Sequence, residues 1–190
     1  MNQLAPPSVR LLVCGNADRG DDGAALSAVA TLLPSLPAAL LERLEVRRCG
    51  QLRVEDLIDV RAGEVAVVVD AAVGISPGRV VTMPIGAITA DGIAPTPRSS
   101  HELPIDQVLG LAATLRPGGL PEGTFVGIGG RRFGYGRPLS RSVRLNMATF
   151  QAAIAAELAR LTQVPGGSAP GVGRSSSAGG RTGDPAGPLP

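Results

Sequence analysis

Lysine and tryptophan are both missing from this chain of 190 residues, and aromatic side chains make up only 2% of it. Arginine therefore carries all the basic charge, and the formal balance is a modest +2. No basic run is interleaved with aromatics, so the electrostatic footprint of nucleic-acid binding is lacking and no nucleic acid is expected as a partner. A core short of aromatic rings has to be built from Val, Leu, Ile and Ala, which the 44% hydrophobic content supplies. Long apolar runs are lacking too. Met1 to Ser8 contains none, and nowhere do about 18 apolar residues follow one another, so neither a secretory signal nor a membrane span is expected. Cysteine is scarce: Cys14 and Cys49 fit a reducing compartment and read as small buried hydrophobes. These shortages together point to a cytoplasmic protein.

Histidine is scarcer still, since His101 is the only one. A second histidine for a His-Glu-x-x-His site is excluded, because Ile105 stands in its place. A Gly-x-Ser-x-Gly nucleophile elbow does not occur either, and no spacing sets Cys14 or Cys49 up as a nucleophile beside His101. The common hydrolytic signatures are thereby removed.

What is present is an alternation of strand and helix patterns. Val9 to Cys14 reads as a first strand, and a helix follows from about Asp21 to Leu33 with Leu26, Val29, Leu32 and Leu33 at helical spacing. Leu44 to Arg48 reads as a second strand and Val54 to Val60 as a short helix. Val65-Ala66-Val67-Val68-Val69 is apolar without alternation, the pattern of a strand covered on both faces. Arg79 to Met83 is a further strand, and Pro84 to Ser100 a long proline-bearing connection of the kind that often carries function. Ile105, Val108, Leu109, Ala112 and Leu115 mark another helix whose first turn tolerates Pro104. Thr124 to Ile128 is a strand, and a last helix begins near Ser140 with Val143, Met147, Phe150, Ile154, Leu158 and Leu161 as its buried stripe. The pattern predicts an α/β fold: a single doubly wound, mostly parallel sheet with helices on both faces. One domain is expected over residues 1–162, and residues 163–190, rich in Gly, Pro and Ser, read as a disordered tail.

In such sheets, ligands bind outside the carboxyl ends of the strands, near the point where strand order reverses. That rule selects the loop from Gly15 to Gly23 and Asp70, which closes the all-apolar strand. The loop lacks Gly-x-Gly-x-x-Gly, and its aspartates Asp18, Asp21 and Asp22 would repel a phosphate. Asp21 or Asp22 can cap the following helix, which leaves the other for a site. Asp70 is either a turn former before Ala71 or a site residue at the sheet's edge. His101 is either an exposed residue in a Ser99-x-x-Glu102 capping box or a ligand, because a helix start disfavours the protonated ring and a metal needs the neutral one. Asp22, Asp70 and His101 are sparse for a tight resident zinc site, and they leave coordination positions open for a visiting metal.

The strings Gly15-Asn16-Ala17-Asp18-Arg19-Gly20-Asp21-Asp22-Gly23, Val67-Val68-Val69-Asp70-Ala71 and Ser100-His101 resemble the nickel–iron hydrogenase maturation endopeptidases, over roughly Val9 to Leu161. Val13 and Ala25 stand where that family often has glycine, and the Cys49-Gly50-Gln51 segment also departs from its glycine-rich turn. The resemblance implies a cytoplasmic α/β protease of aspartic type. It would remove the C-terminal extension of a hydrogenase large-subunit precursor after nickel insertion. It further implies that Asp22, Asp70 and His101 are both catalytic and metal-contacting, touching nickel supplied by the substrate protein, with no tightly bound cofactor of the chain's own. Arg98, Arg131, Arg132 and Arg137 would grip the precursor or remain solvated loop charge. Two rivals stand beside this reading: a non-hydrolytic, nickel-dependent binding module or chaperone for the precursor, and a magnesium-dependent phosphoryl-transfer enzyme using Asp18, Asp21 and Asp22.

Overall fold

The computed structural model describes residues 8–90 and 104–162. Strands that are apolar on both faces need cover on both sides, and the two most apolar segments take the centre of the sheet. β1 (Val9–Cys14) and β3 (Val65–Ala72) run parallel, with Val9 opposite Val65 and Val13 opposite Val69. β2 (Leu44–Cys49) lies parallel to β1 on one side, and β5 (Gly123–Gly129) lies parallel to β3 on the other. β4 (Val80–Pro84) closes the far edge antiparallel to β5, giving the order β2-β1-β3-β5-β4.

Alternate residues of the central strands face opposite layers. Leu11, Val13, Val67 and Val69 pack against α1 (Ala24–Leu32) and α7 (Met147–Thr162), with Phe150 and Ile154 fully buried among them. Leu12 and Val68 face α3 (Val54–Ile58), α4 (Ile85–Ala90) and α5 (Ile105–Leu115) through Leu57, Ile85, Val108 and Leu109. Two short helices, α2 (Ala38–Leu41) and α6 (Arg141–Leu145), complete the set among the described residues. The expected class, a doubly wound and mostly parallel α/β sheet with helices on both faces, is the one found.

Several boundaries differ from the sequence expectation, each for a local reason. The first helix opens with a 3-10 turn over Gly20–Gly23 before α1 begins. β3 does not stop at Val69, because β5 offers partners as far as Gly129; Asp70 therefore lies inside the strand, opposite Gly127. The connection expected after Pro84 begins with α4, whose Ile85 and Ile88 recur one turn apart and are both buried. The last helix is broken at Asn146: Ser140 caps α6 by accepting from the Val143 amide, and the Asn146 side chain donates to the Ser142 carbonyl. The tail reading for 163–190 lies outside the described residues. No helix among the described residues is long and apolar enough to cross a membrane.

A small polar network links α7 to the sheet. The Thr124 hydroxyl, buried in β5, donates to Glu157 at 2.6 Å, and Arg160 donates to both oxygens of the same carboxylate at 3.1 Å. Arg160 beside it holds the Glu157 carboxyl below the usual carboxylate range, against the opposing effect of burial. Glu157→Ala is expected to lower stability by about 1–2 kcal/mol, since it strands a buried hydroxyl. Urea unfolding followed by circular dichroism measures it, and an unchanged midpoint would mean that the network contributes nothing.

Candidate active site

Four parallel strands end on one rim of the sheet. From β1 the chain moves to β2 on one side and then returns to β3 on the other, so strand order reverses between β1 and β3. The crevice of a doubly wound sheet opens at such a point. Asp22 is on the segment that leaves β1, and Asp70 is near the carboxyl end of β3.

The Gly-Asn-x-x-x-Gly-Asp-Asp-Gly string is explained residue by residue. Gly15 has φ +117°, and a Cβ there would meet the Asp22 carbonyl oxygen at 2.0 Å, so only glycine allows this close return of the chain. The Asn16 amide donates to Asp22 Oδ2 at 3.1 Å, while the Asn16 side chain accepts from the Asp18 amide at 2.9 Å. Gly20 has φ +60°, with the Arg132 carbonyl oxygen 2.5 Å from where its Cβ would be. The loop thus folds back on itself and presents the half-buried Asp22 carboxylate at the rim.

Asp21 serves a different purpose from the helix cap expected of it. Neither the 3-10 turn nor α1 has a side-chain cap. Asp21, with 0% of its surface exposed, instead accepts the backbone amides of Arg131 at 2.8 Å and Arg132 at 3.0 Å on one oxygen, and that of Ser140 on the other. It ties the β5–α6 segment across the rim to the first loop. Burial pulls its carboxyl upward, but the amides of Arg131, Ser140 and Arg132 prevail and hold it below the ordinary value. Asp22 does not cap either; its carboxylate accepts from the Asn16 amide.

Asp70 is half-buried, with the Ala71 amide donating to its Oδ1 at 2.7 Å. His101 lies outside the described residues, as do Arg98 and the Ser99-x-x-Glu102 box. Among the described residues, no group of three or more His, Cys, Asp and Glu side chains is arranged to hold a metal ion.

Cys14 and Cys49 are buried as expected, but they also stand opposite each other as the last residues of β1 and β2. The hydrogen bond to Cys49 raises the Cys14 thiol well above the ordinary range, with burial and the nearby Asp70 carboxylate adding to it. Cys14 therefore keeps its proton near neutrality and is no nucleophile. Sequence reading missed this pairing, although the two residues are the terminal positions of the first two strands and the register of adjacent strands brings them together.

The fold is that of a doubly wound α/β protein, with two aspartates on segments at the carboxyl rim beside its switch point. No family model and no curated protein sequence matches the chain. Solved structures do. The hydrogenase maturating endopeptidase HybD from E. coli superposes with a TM-score of 0.61 at 21% identity, covering 80% of this chain and 93% of that one. The NiFe hydrogenase maturation protease HycI from Thermococcus kodakarensis gives 0.59 at 17% identity, covering 81% and 94%. HybD from Thermococcus kodakarensis gives 0.52 at 23%, covering 82% and 99%. The chain shares the fold of these proteins over about 80% of its own length.

Proposed function

We propose that this chain is a cytoplasmic endopeptidase that removes the C-terminal extension of a nickel–iron hydrogenase large-subunit precursor once nickel has been inserted. The observation that carries the reading is the coincidence of two independent lines at one place. The loop string that resembles the maturation endopeptidases holds Asp22 at the same β1/β3 switch point where β3 holds Asp70. The fold shared with HybD and HycI supports it.

In this reading nickel arrives held by thiolates of the precursor, and Asp22, Asp70 and His101 complete its coordination. Two carboxylates and a neutral imidazole are oxygen and nitrogen donors of the kind that bind divalent nickel in open sites. The ion is cargo: it marks the precursor as loaded and fixes the scissile bond against the rim. Nickel so placed polarises the carbonyl or acidifies a bound water. Asp22, Asp70 and His101 are the groups available to take the proton from that water.

The test is incubation of purified protein with nickel-loaded and metal-free precursor, read by intact-mass spectrometry. Shortening of the loaded precursor alone is expected. A loaded precursor that binds and keeps its full length would replace the protease with a non-hydrolytic chaperone, and equal cleavage of both forms would remove nickel from the mechanism.

A further inference from the structure

Beside the acidic pair, the rim carries a surface of the opposite sign. A groove of about 580 Å³ runs from Gly15 and Gly50 along the outer side of α1, past Leu26 and Ala30, with Arg48 and Arg137 among its walls. A second depression of about 610 Å³ shares Arg137 and adds Arg131 and Arg132. All four arginines are exposed, and none forms an ion pair with a described carboxylate. The described salt bridges engage Arg10, Arg47, Arg61 and Arg160 instead.

Unpaired arginines scattered over a surface mean nothing beyond solvation. Here Arg48 is the penultimate residue of β2 and the other three follow β5, so residues remote in sequence converge because parallel strands end on one rim. Asp21 holds Arg131 and Arg132 there by their own backbone amides. The glycines Gly15, Gly20, Gly23 and Gly50 and the small side chains of Ala17, Ser27 and Ala30 keep bulky groups off much of the groove's wall. From Ala24 to Ala30, α1 offers about 9 Å, the length of roughly three extended residues.

Resting on the reading of a protein substrate, we infer that this groove receives an extended peptide segment of the substrate bearing acidic side chains, with Arg48 and Arg137 as specificity-determining residues. Guanidinium and carboxylate pair through charge-assisted hydrogen bonds. The neighbouring Asp22 and Asp70 repel the same carboxylates, so the acidic segment is steered to the groove while the cationic metal goes to the crevice. Opposite charges side by side thus set the direction and register in which the substrate lies.

The probe is a fluorescein-labelled peptide with blocked ends, Ala-Val-Glu-Val-Glu-Ala, and its counterpart with glutamine for both glutamates, measured by fluorescence anisotropy with the full chain and no metal. The glutamate peptide is expected to bind at least about tenfold more tightly, and rising salt should erase the difference. Arg48→Glu and Arg137→Glu should each weaken it by about tenfold or more. Arg79→Glu, at the exposed residue just before β4 at the far edge of the sheet, should change it less than about twofold. Equal affinity for the two peptides, no binding of either, or unchanged binding by the groove variants overturns the inference. Precursor cleavage is scored separately, so the endopeptidase can fail while the groove stands, and the reverse.

Discussion

Asp22→Asn, Asp70→Asn and His101→Ala are each expected to slow cleavage of nickel-loaded precursor by about 100-fold or more, a loss typical of a positioned proton-transfer or metal-contacting group. The two amide substitutions are nearly isosteric. An amide oxygen at position 22 can still accept from the Asn16 amide, and one at position 70 from the Ala71 amide, so the loop and strand keep their shape. What is lost is negative charge at the β1/β3 crevice. Unfolding midpoints within about 1 kcal/mol of wild type would show that the fold is intact. Three variants that all process the precursor at the wild-type rate would remove these residues from the reaction, whatever the fold.

Asp21→Ala is expected to act in the opposite manner, on stability first. It leaves the amides of Arg131, Arg132 and Ser140 without their acceptor at a fully buried position. Three charge-assisted bonds lost together cost about 3–5 kcal/mol, or a fall in melting temperature on the order of 10 °C for a chain of this size. The same residue makes stability depend on acid. Its folded carboxyl is held below the ordinary value of 3.8. The contribution is therefore present above the unfolded value, near pH 4, and is lost as pH falls through the lower folded value. Wild type should lose stability on acidification below about pH 4, and Asp21→Ala should lack that component. Thermal melts from pH 7 to pH 3 measure both. A variant as stable as wild type at pH 7 would mean that the amides find other partners.

The contrast between the adjacent aspartates shows where local reading stops. Helix capping is a local interaction, and a sequence suggests it for either residue at a helix start. The partners of Asp21 lie 110 to 119 residues away, and no spacing within the loop announces them. Arg48 and Arg137 pose the same difficulty: one is the penultimate residue of a strand and the other a loop residue, and only the sheet brings them to one groove. Asp70 was legible as a rim residue but not as part of β3, because the strand's length depends on how far β5 runs beside it.

The sequence by itself determined the layering of this protein. Unbroken apolar runs demand central strands, helical stripes such as Val143, Phe150, Ile154 and Leu158 demand a face to bury, and the glycines of the first loop demand a tight return of the chain. These are preferences each segment carries within itself. Tertiary structure alone decided the strand order, the rung shared by Cys14 and Cys49, the buried anchorage of Asp21 and the pairing of an acidic crevice with a basic groove on one rim. Those depend on which segments become neighbours, a choice made by burying both faces of one sheet at once.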